Sequence, residues 1–293
     1  MDGLDLKEPL RVSYSQYSMW SQCPHRWKLN YIDRLSTFTD SIHTLFGTAM
    51  HEVIQTWVET IYEKTAKAAN ELDLDTMLLT KLKTIYREKM NREGAEHFTT
   101  PEQLAEFWED GKAILDFLKK RRGEYFSKKG YKLLGIETEL KYPLTDGINF
   151  IGFIDLILGD EISGEVKIID IKTSTMGWNK WMKTDKNKTD QLLLYKQFYS
   201  KQMNVPLDKI KVEYFIVKRR LYENLDFPQK RVQSFIPANG TPSINKVVKN
   251  LSNFLEDGFE NDEHKLKEYF KNKSQKTCKW CEFKNTEHCD AWG

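Results

Sequence analysis

The segment GFIDLILGDEISGEVKIIDIKTS, residues 152–174, constrains this chain more than any other. Two apolar runs flank a short polar turn, so the segment reads as two strands joined as a hairpin across 159–164. Each run carries charge in its middle. Asp155 sits between Ile154 and Leu156, and Asp170 and Lys172 stand among isoleucines. Residues two apart in a strand share a face, so Asp170 and Lys172 point together while Ile169 and Ile171 point into a core. Pairing the two runs brings Asp155 near Asp170. Two carboxylates in an apolar setting repel each other and are costly to desolvate. A divalent cation between them removes that cost, and hard oxygen ligands suit magnesium or manganese. An ammonium at Lys172 beside such an ion would orient a water and assist its deprotonation, as metal-assisted phosphodiester hydrolysis requires. The plain alternative is a solvated Asp–Lys pair on a surface hairpin. The apolar flanks argue instead for a buried strand.

The rest of the chain must provide the scaffold. Its 293 residues suffice for one large domain or two small ones. Eight Trp and thirteen Tyr speak against a disordered chain. A formal net charge of +2 does not by itself announce a nucleic-acid binder. It does not exclude one either, because acids at a metal site can offset a basic groove. The N-terminal MDGLDLKEPL is acidic and has no apolar run, so no signal peptide is expected. No run reaches membrane-spanning length, and the expected setting is cytoplasmic, in a bacterium or a phage-infected cell.

Apolar spacing predicts helices over 13–32, interrupted near Cys23-Pro24, and over 44–69, 75–92 and 102–127. Strands are predicted over 133–140, 149–158 and 165–173, with breaks at Pro143, Gly147, Gly159 and Gly164. A helix over 189–203, strands over 210–218 and 230–236, and a helix over 242–257 follow. The expected fold class is α/β, a central mixed sheet flanked by helices, with a helical insertion. The expected division is an N-terminal segment 1–46, a helical region 47–130, a core 131–240 and a C-terminal segment 241–293.

Cysteine usage adds a second feature. The four are Cys23, Cys278, Cys281 and Cys289, three of them in a short polar C-terminal segment. In such a chain they suggest metal before disulfides. The C-x-x-C at 278–281 can grip one metal centre across a tight turn. His288, next to Cys289, could replace a ligand in a zinc site. Basic runs at 119–122, 128–129 and 218–220 are candidate phosphate contacts. So is segment 178–188, which mixes Trp178 and Trp181 with four lysines.

Asp155 and Asp170-Ile171-Lys172 resemble the core of the PD-(D/E)xK nucleases, and specifically the RecB-type exonuclease domains. Those carry G-x-x-D, here Gly152–Asp155, and an apolar strand ending D-x-K-T, here Asp170–Thr173. Gly47–His51 matches their G-x-x-x-H helix start, and Gln191–Tyr195 their Q-x-x-x-Y helix. Glu137 matches the Glu of their first core strand, with Glu139 on the same predicted face as its rival. The resemblance implies a restriction-endonuclease-like core. It implies catalytic roles for Asp155, Asp170, Lys172, Gln191, Tyr195 and Glu137, and magnesium or manganese held by His51, Asp155 and Asp170. An imidazole ligand would favour manganese.

The cysteines, with Ser21–Arg26 around the first, are similar to the iron–sulfur staple of the CRISPR-associated adaptation nuclease and the AddB nuclease domain. That similarity implies a [4Fe–4S] cluster on Cys23, Cys278, Cys281 and Cys289, tying the chain ends together, with zinc as the alternative. The seven residues between Cys281 and Cys289 depart from the pattern. The implied activity is that of a metal-dependent DNA nuclease, an exonuclease on single-stranded DNA or DNA ends. Its setting would be recombination, repair, phage DNA metabolism or CRISPR adaptation, with a helicase, recombination or CRISPR adaptation protein as partner. No P-loop motif is present, so no helicase motor is expected in this chain. The competing class is a non-catalytic DNA-end-binding or assembly module with a structural zinc or iron–sulfur site. The intact Asp155, Asp170 and Lys172 oppose it. A zinc-dependent interaction protein is a third class.

Overall fold

The computed structural model describes residues 8–35, 40–223 and 226–290; the first seven residues of the acidic N-terminus lie outside them. The chain opens with β1 (Leu10–Val12), α1 (Tyr14–Gln22), α2 (Pro24–Trp27) and a π-helical turn, Lys28–Ile32. A helical stretch follows: α3 (Ile42–Glu63), α4 (Ala66–Glu71), α5 (Leu74–Met90), α6 (Pro101–Lys120) and α7 (Arg122–Tyr125). Then come β2 (Tyr131–Thr145), β3 (Ile148–Asp160), β4 (Glu165–Ser174), α8 (Lys180–Thr184), α9 (Lys186–Thr189) and α10 (Gln191–Met203). The remainder is β5 (Ile210–Lys218), β6 (Val232–Phe235), α11 (Thr241–Gly258), the small strands β7 (Phe259–Glu260) and β8 (Glu263–His264), and α12 (Gln275–Cys278).

A six-stranded mixed sheet organises these elements. β2 lies antiparallel along one edge of β3. The other edge of β3 is shared. β1 runs parallel to Ile148–Phe150, and β4 runs antiparallel to Leu156–Asp160. β5 is parallel to β4, and β6 closes the far side. Each face of the sheet carries its own core. On one face β1, β3, β4 and β5 pack with α1, α10 and α11, through residues such as Phe150, Ile168, Leu194, Tyr214 and Phe254. On the other, α3, α5 and α6 bring Met50, Trp57, Leu78 and Ile114 onto Leu156, Ile169, Ile171 and Phe215. The fold is the restriction-endonuclease-like α/β architecture, with the helical region packed directly on the sheet.

Local chemistry explains the boundaries. The β3–β4 hairpin turns because Asp160 Oδ1 accepts the Ile162 N–H at 2.9 Å and Gly164 takes φ +68°. That turn fixes the pairing of Leu156 with Ile169. Ser41 and Thr44 form a capping box that starts α3. The single helix expected over 44–69 is two: α3 ends at Glu63, and Thr65 caps α4 by accepting the Ala68 N–H. Pro143 does not break β2. It pairs with Asn149 inside the strand, just before a register shift, on a strand whose outer edge needs no N–H donor. β1, α8 and α9 are short elements that periodicity did not announce.

Residues 20–27 meet residues 254–282. Trp20 Nε1 donates to Asp257 Oδ2 at 2.7 Å, Asn272 Nδ2 donates to the Gln22 carbonyl at 2.7 Å, and Arg26 pairs with Glu282 at 2.6 Å. Trp27 packs edge-on against Phe254 and Tyr269, with ring centroids 5.1 and 5.4 Å apart.

One test concerns the helical layer. A Cβ at Gly111 of α6 would sit inside van der Waals contact with the fully buried Leu78 and 3.1 Å from Phe46. Gly111→Ala gains up to about 1 kcal/mol of helix propensity. Overpacking of this kind costs roughly 1–3 kcal/mol. The variant should therefore unfold at lower urea concentration than the parent. An unchanged or raised midpoint would show that the α5–α6 contact yields freely.

Candidate active site

Asp155 stands where the sheet divides. On the edge of β3 shared by β1 and β4, Ile151–Asp155 has no strand partner. The regular alternation of β3 also breaks there. Ile154 belongs to the core on one face and Leu156 to the core on the other, a switch that a strict two-residue period cannot make. On β2, Glu137 takes φ +46° between the pairs Ile136–Leu156 and Thr138–Ile154. An irregularity on the neighbouring strand thus accompanies the switch, and such kinks re-aim side chains. The Asp155 carboxylate is aimed at β4, where Oδ2 accepts the Ile171 N–H at 2.6 Å.

β4 stays regular and presents Asp170 and Lys172 together. Lys172 Nζ lies 2.7 Å from Asp170 Oδ2 and donates to Gln191 Oε1 at 3.3 Å. Gln191 in turn donates to the Tyr195 hydroxyl at 3.0 Å, one turn along α10. Gly152 makes room for this, since a Cβ there would come within 2.7 Å of the Tyr195 ring. The third wall is α3. Gly47, His51 and Gln55 are spaced four apart and form one ridge across the strands. At Gly47 a Cβ would stand 3.3 Å from Thr173 Oγ1. His51 Nδ1 is 3.6 Å from Asp155 Oδ2. Gln55 donates to Glu137 Oε1 at 2.6 Å and to the Asp155 carbonyl at 3.2 Å.

The structure therefore gathers Glu137, His51, Asp155, Asp170, Lys172, Gln191 and Tyr195 around one point. Glu139 is not part of it; its contact of note is a backbone carbonyl accepting from Gln202. Gln55 is the member that sequence reasoning missed. Its signal was present, four residues beyond His51 on the same helix face.

The electrostatics are those of a site short of positive charge. Burial pushes the Asp155 carboxyl well above the usual carboxylate range, and the nearby Asp170 pushes it further. Burial opposes the Lys172 charge, yet Asp170 and Asp155 outweigh it and hold the ammonium above the usual lysine value. Burial holds His51 below the usual imidazole value, which keeps its ring neutral and able to ligate. Apart from its ion pair with Lys172, Asp170 Oδ2 is buried without a hydrogen bond. A buried carboxylate oxygen met only by the Lys172 ammonium, beside a second carboxylate, fits a hard divalent cation. Among the described residues, no three His, Cys, Asp or Glu are arranged as a ready-made metal cage. Here the Lys172 ammonium and the Ile171 N–H hold the oxygens that a cation would use.

The four cysteines come from opposite ends of the chain to line one cavity, together with His25. All four are free thiols, and burial pushes Cys281 up. His25 Nε2 donates to the His288 carbonyl at 3.0 Å, leaving its buried Nδ1 without a partner. Four soft donors and a bare imidazole nitrogen fit a thiophilic metal group. As they stand the thiols are not converged on one point. The imidazole at this cavity is His25; His288 faces Glu287 at 3.5 Å.

Two of the expected DNA contacts are structural. Trp178 is buried, its ring 4.9 Å from Tyr214 and 6.0 Å from Phe235, so it cannot stack on a base. Within the 218–220 run, Arg219 is buried against Glu106 and Asp110 and over the Phe107 ring, and Arg220 pairs with Glu106. Trp181, by contrast, is 81% exposed.

With this geometry in view, the comparisons with known proteins are decisive on family. The family model of the PD-(D/E)XK nuclease superfamily matches residues 11–286. This chain belongs to the PD-(D/E)XK nuclease superfamily. Among solved structures it is similar to a crystal structure from Eubacterium rectale provisionally described as an exonuclease. The two are 11% identical, with a TM-score of 0.48, over 84% of this chain and 80% of that one. A search of curated proteins finds no match. Among the described residues no helix is long and apolar enough to cross a membrane.

The buried carboxylate gives a second test. Asn at 155 keeps an acceptor for the Ile171 N–H and removes the charge. Because the folded pKa of Asp155 is raised, its stabilising protonated form is lost as pH rises through that value. Asp155→Asn should therefore melt higher than the parent at neutral pH in EDTA. Each pKa unit relieved is worth about 1.4 kcal/mol. The gain should vanish below about pH 4, where the carboxyl is protonated in both states. Equal melting temperatures across that range would mean that Asp155 is not strained by its surroundings.

Proposed function

We propose that this superfamily member is a divalent-metal-dependent deoxyribonuclease of the RecB-like kind, acting as an exonuclease on single-stranded DNA or DNA ends. The observation that carries the reading is the buried Asp155–Asp170 pair, compensated by a single ammonium where β3 and β4 part. In this reading His51, Asp155 and Asp170 hold magnesium or manganese. When bound, the ion supplies positive charge at the scissile phosphate and acidifies water. Lys172 Nζ, held by Asp170 and Gln191, donates toward the reacting oxygens and positions the attacking water. Tyr195 fixes the Gln191 amide, and Gln191 fixes the Lys172 head. Glu137, held by Gln55, sets the negative field around His51 and Asp155.

The same reading gives the cysteine cavity a [4Fe–4S] cluster on Cys23, Cys278, Cys281 and Cys289, with zinc as the alternative. Its role is structural, since the segments it would join are already tied by Arg26–Glu282 and Asn272–Gln22. Settings in recombination, repair, phage DNA metabolism or CRISPR adaptation remain part of this proposal, as does a separate helicase or recombination partner.

Digestion of linear DNA labelled at one end or the other, single- and double-stranded, tests the activity. Label should be released only with magnesium or manganese. Lys172→Ala should slow release by about 10²–10³-fold, the usual cost of losing one transition-state donor, with its circular dichroism unchanged. A wild-type protein that leaves all DNA intact would sink the enzyme reading and favour the DNA-end-binding module. Metal analysis of anaerobically purified protein separates the cluster readings. Iron with acid-labile sulfide and brown colour supports the cluster, whereas one zinc and no colour replaces it.

A further inference from the structure

Beside the carboxylates, on the side of β3 that β1 and β4 leave open, lies a cleft of about 370 Å³. Its walls include Arg11, Ser15, Gly152, Phe153, Gln191 and Tyr195. The volume is within the range that small-ligand sites occupy, about 300–1,000 Å³. Of its walls, Gln191 holds Lys172 and Tyr195 holds Gln191, so the cleft adjoins the candidate reacting centre.

The alternation of β1 and β3 says what the cleft offers. Val12 and Phe150 are paired and both enter the core. Arg11 and Phe153 therefore sit on the opposite side of the sheet. Arg11 is exposed, and among the described residues its guanidinium is neutralised by no carboxylate. Phe153 is a large aromatic left 47% exposed two residues before Asp155, close to 7 Å along the strand at about 3.3 Å per residue. An exposed aromatic and an exposed cation lining one cleft, next to the side chains that position Lys172, are the kind of surface that grips single-stranded nucleic acid. A base within a duplex is already stacked on both faces and offers Phe153 no surface. Segment 178–188 flanks the same cleft: Tyr14, which helps line it, donates to the Lys186 carbonyl at 3.1 Å.

We propose that this cleft receives an unpaired nucleotide next to the scissile phosphate, with Phe153 stacking on its base and Arg11 meeting its phosphate. The proposal rests on the nuclease reading and gives it a substrate class, a single strand rather than a duplex.

Binding of a fluorescent oligothymidylate tests it, read by anisotropy with magnesium in a Lys172→Ala background, so that affinity is measured while cleavage is slow. Phe153→Ala should weaken binding roughly ten-fold, within the span reported for loss of one stacked base, and Phe153→Trp should restore it. Arg11→Ala should lower the slope of log affinity against log salt by about 0.7, the value for one phosphate contact to a single strand. Neither change should move the melting temperature. If both variants bind like the parent while the wild type digests DNA, the inference falls and the nuclease reading stands. It falls equally if a blunt duplex binds more tightly than the single strand. If the parent binds no single strand and the wild type digests no DNA, both readings fall together.

Discussion

Two carboxylates buried within reach of each other are the constraint on which the site depends. In the protein, Asp170 pairs with the Lys172 ammonium, and Asp155 accepts the Ile171 N–H. Burial and mutual repulsion raise the Asp155 carboxyl, and the same pair holds Lys172 in its charged form. Such an arrangement costs stability in the absence of a cation. It persists because both flanking cores fix the strands that carry it: Ile168 on one face, Ile169 and Ile171 on the other. The sheet is packed from both sides, so the hairpin cannot relax by rotating its charges into solvent.

The division of β3 between β1 and β4 is what exposes this pair to a substrate. Had β4 continued to pair beyond Leu156, the Ile171 N–H would be part of a ladder and not free for Asp155. The α3 ridge depends on the same geometry. Gly47 permits close approach at Thr173, and His51 and Gln55 then reach Asp155 and Glu137 one turn and two turns on. A helix crossing three strands with small, imidazole and amide side chains in line connects the helical layer to the chemistry.

Much of this was legible in the sequence, and the exceptions have physical reasons. The hairpin across 159–164 followed from the two apolar runs and the polar turn between them, and the i,i+4 spacing of Gln191 and Tyr195 placed both on one face of α10. Gathering His51 with the carboxylates required knowing that α3 crosses the sheet, which no local pattern encodes; the family resemblance supplied it. The face switch at Asp155 was invisible because a period-two reading assumes that a strand stays regular. β1, three residues long, carries no periodicity of its own, yet it creates the open edge. Trp178 and Arg219 misled for one reason. Composition cannot tell an aromatic or a cation that reaches solvent from one already spent on Tyr214 or on Glu106 and Asp110.

That last distinction separates structural charge from chemical charge across the molecule. Arg219 meets Glu106 and Asp110 and covers Phe107, and Lys167 pairs with the buried Glu213 at 2.5 Å. In these groups each buried charge has an opposite partner beside it. At the sheet division the balance fails: Asp155 and Asp170 face one Lys172, with Glu137 adding to the negative field. The cysteine cavity shows an equivalent imbalance in softer donors, with free thiols and an unpartnered His25 Nδ1 lining one cavity where a hydrogen bond already joins the Cys23 and Cys278 segments. Satisfied polar clusters fix a fold, whereas clusters that the protein leaves incomplete define where other chemistry must enter.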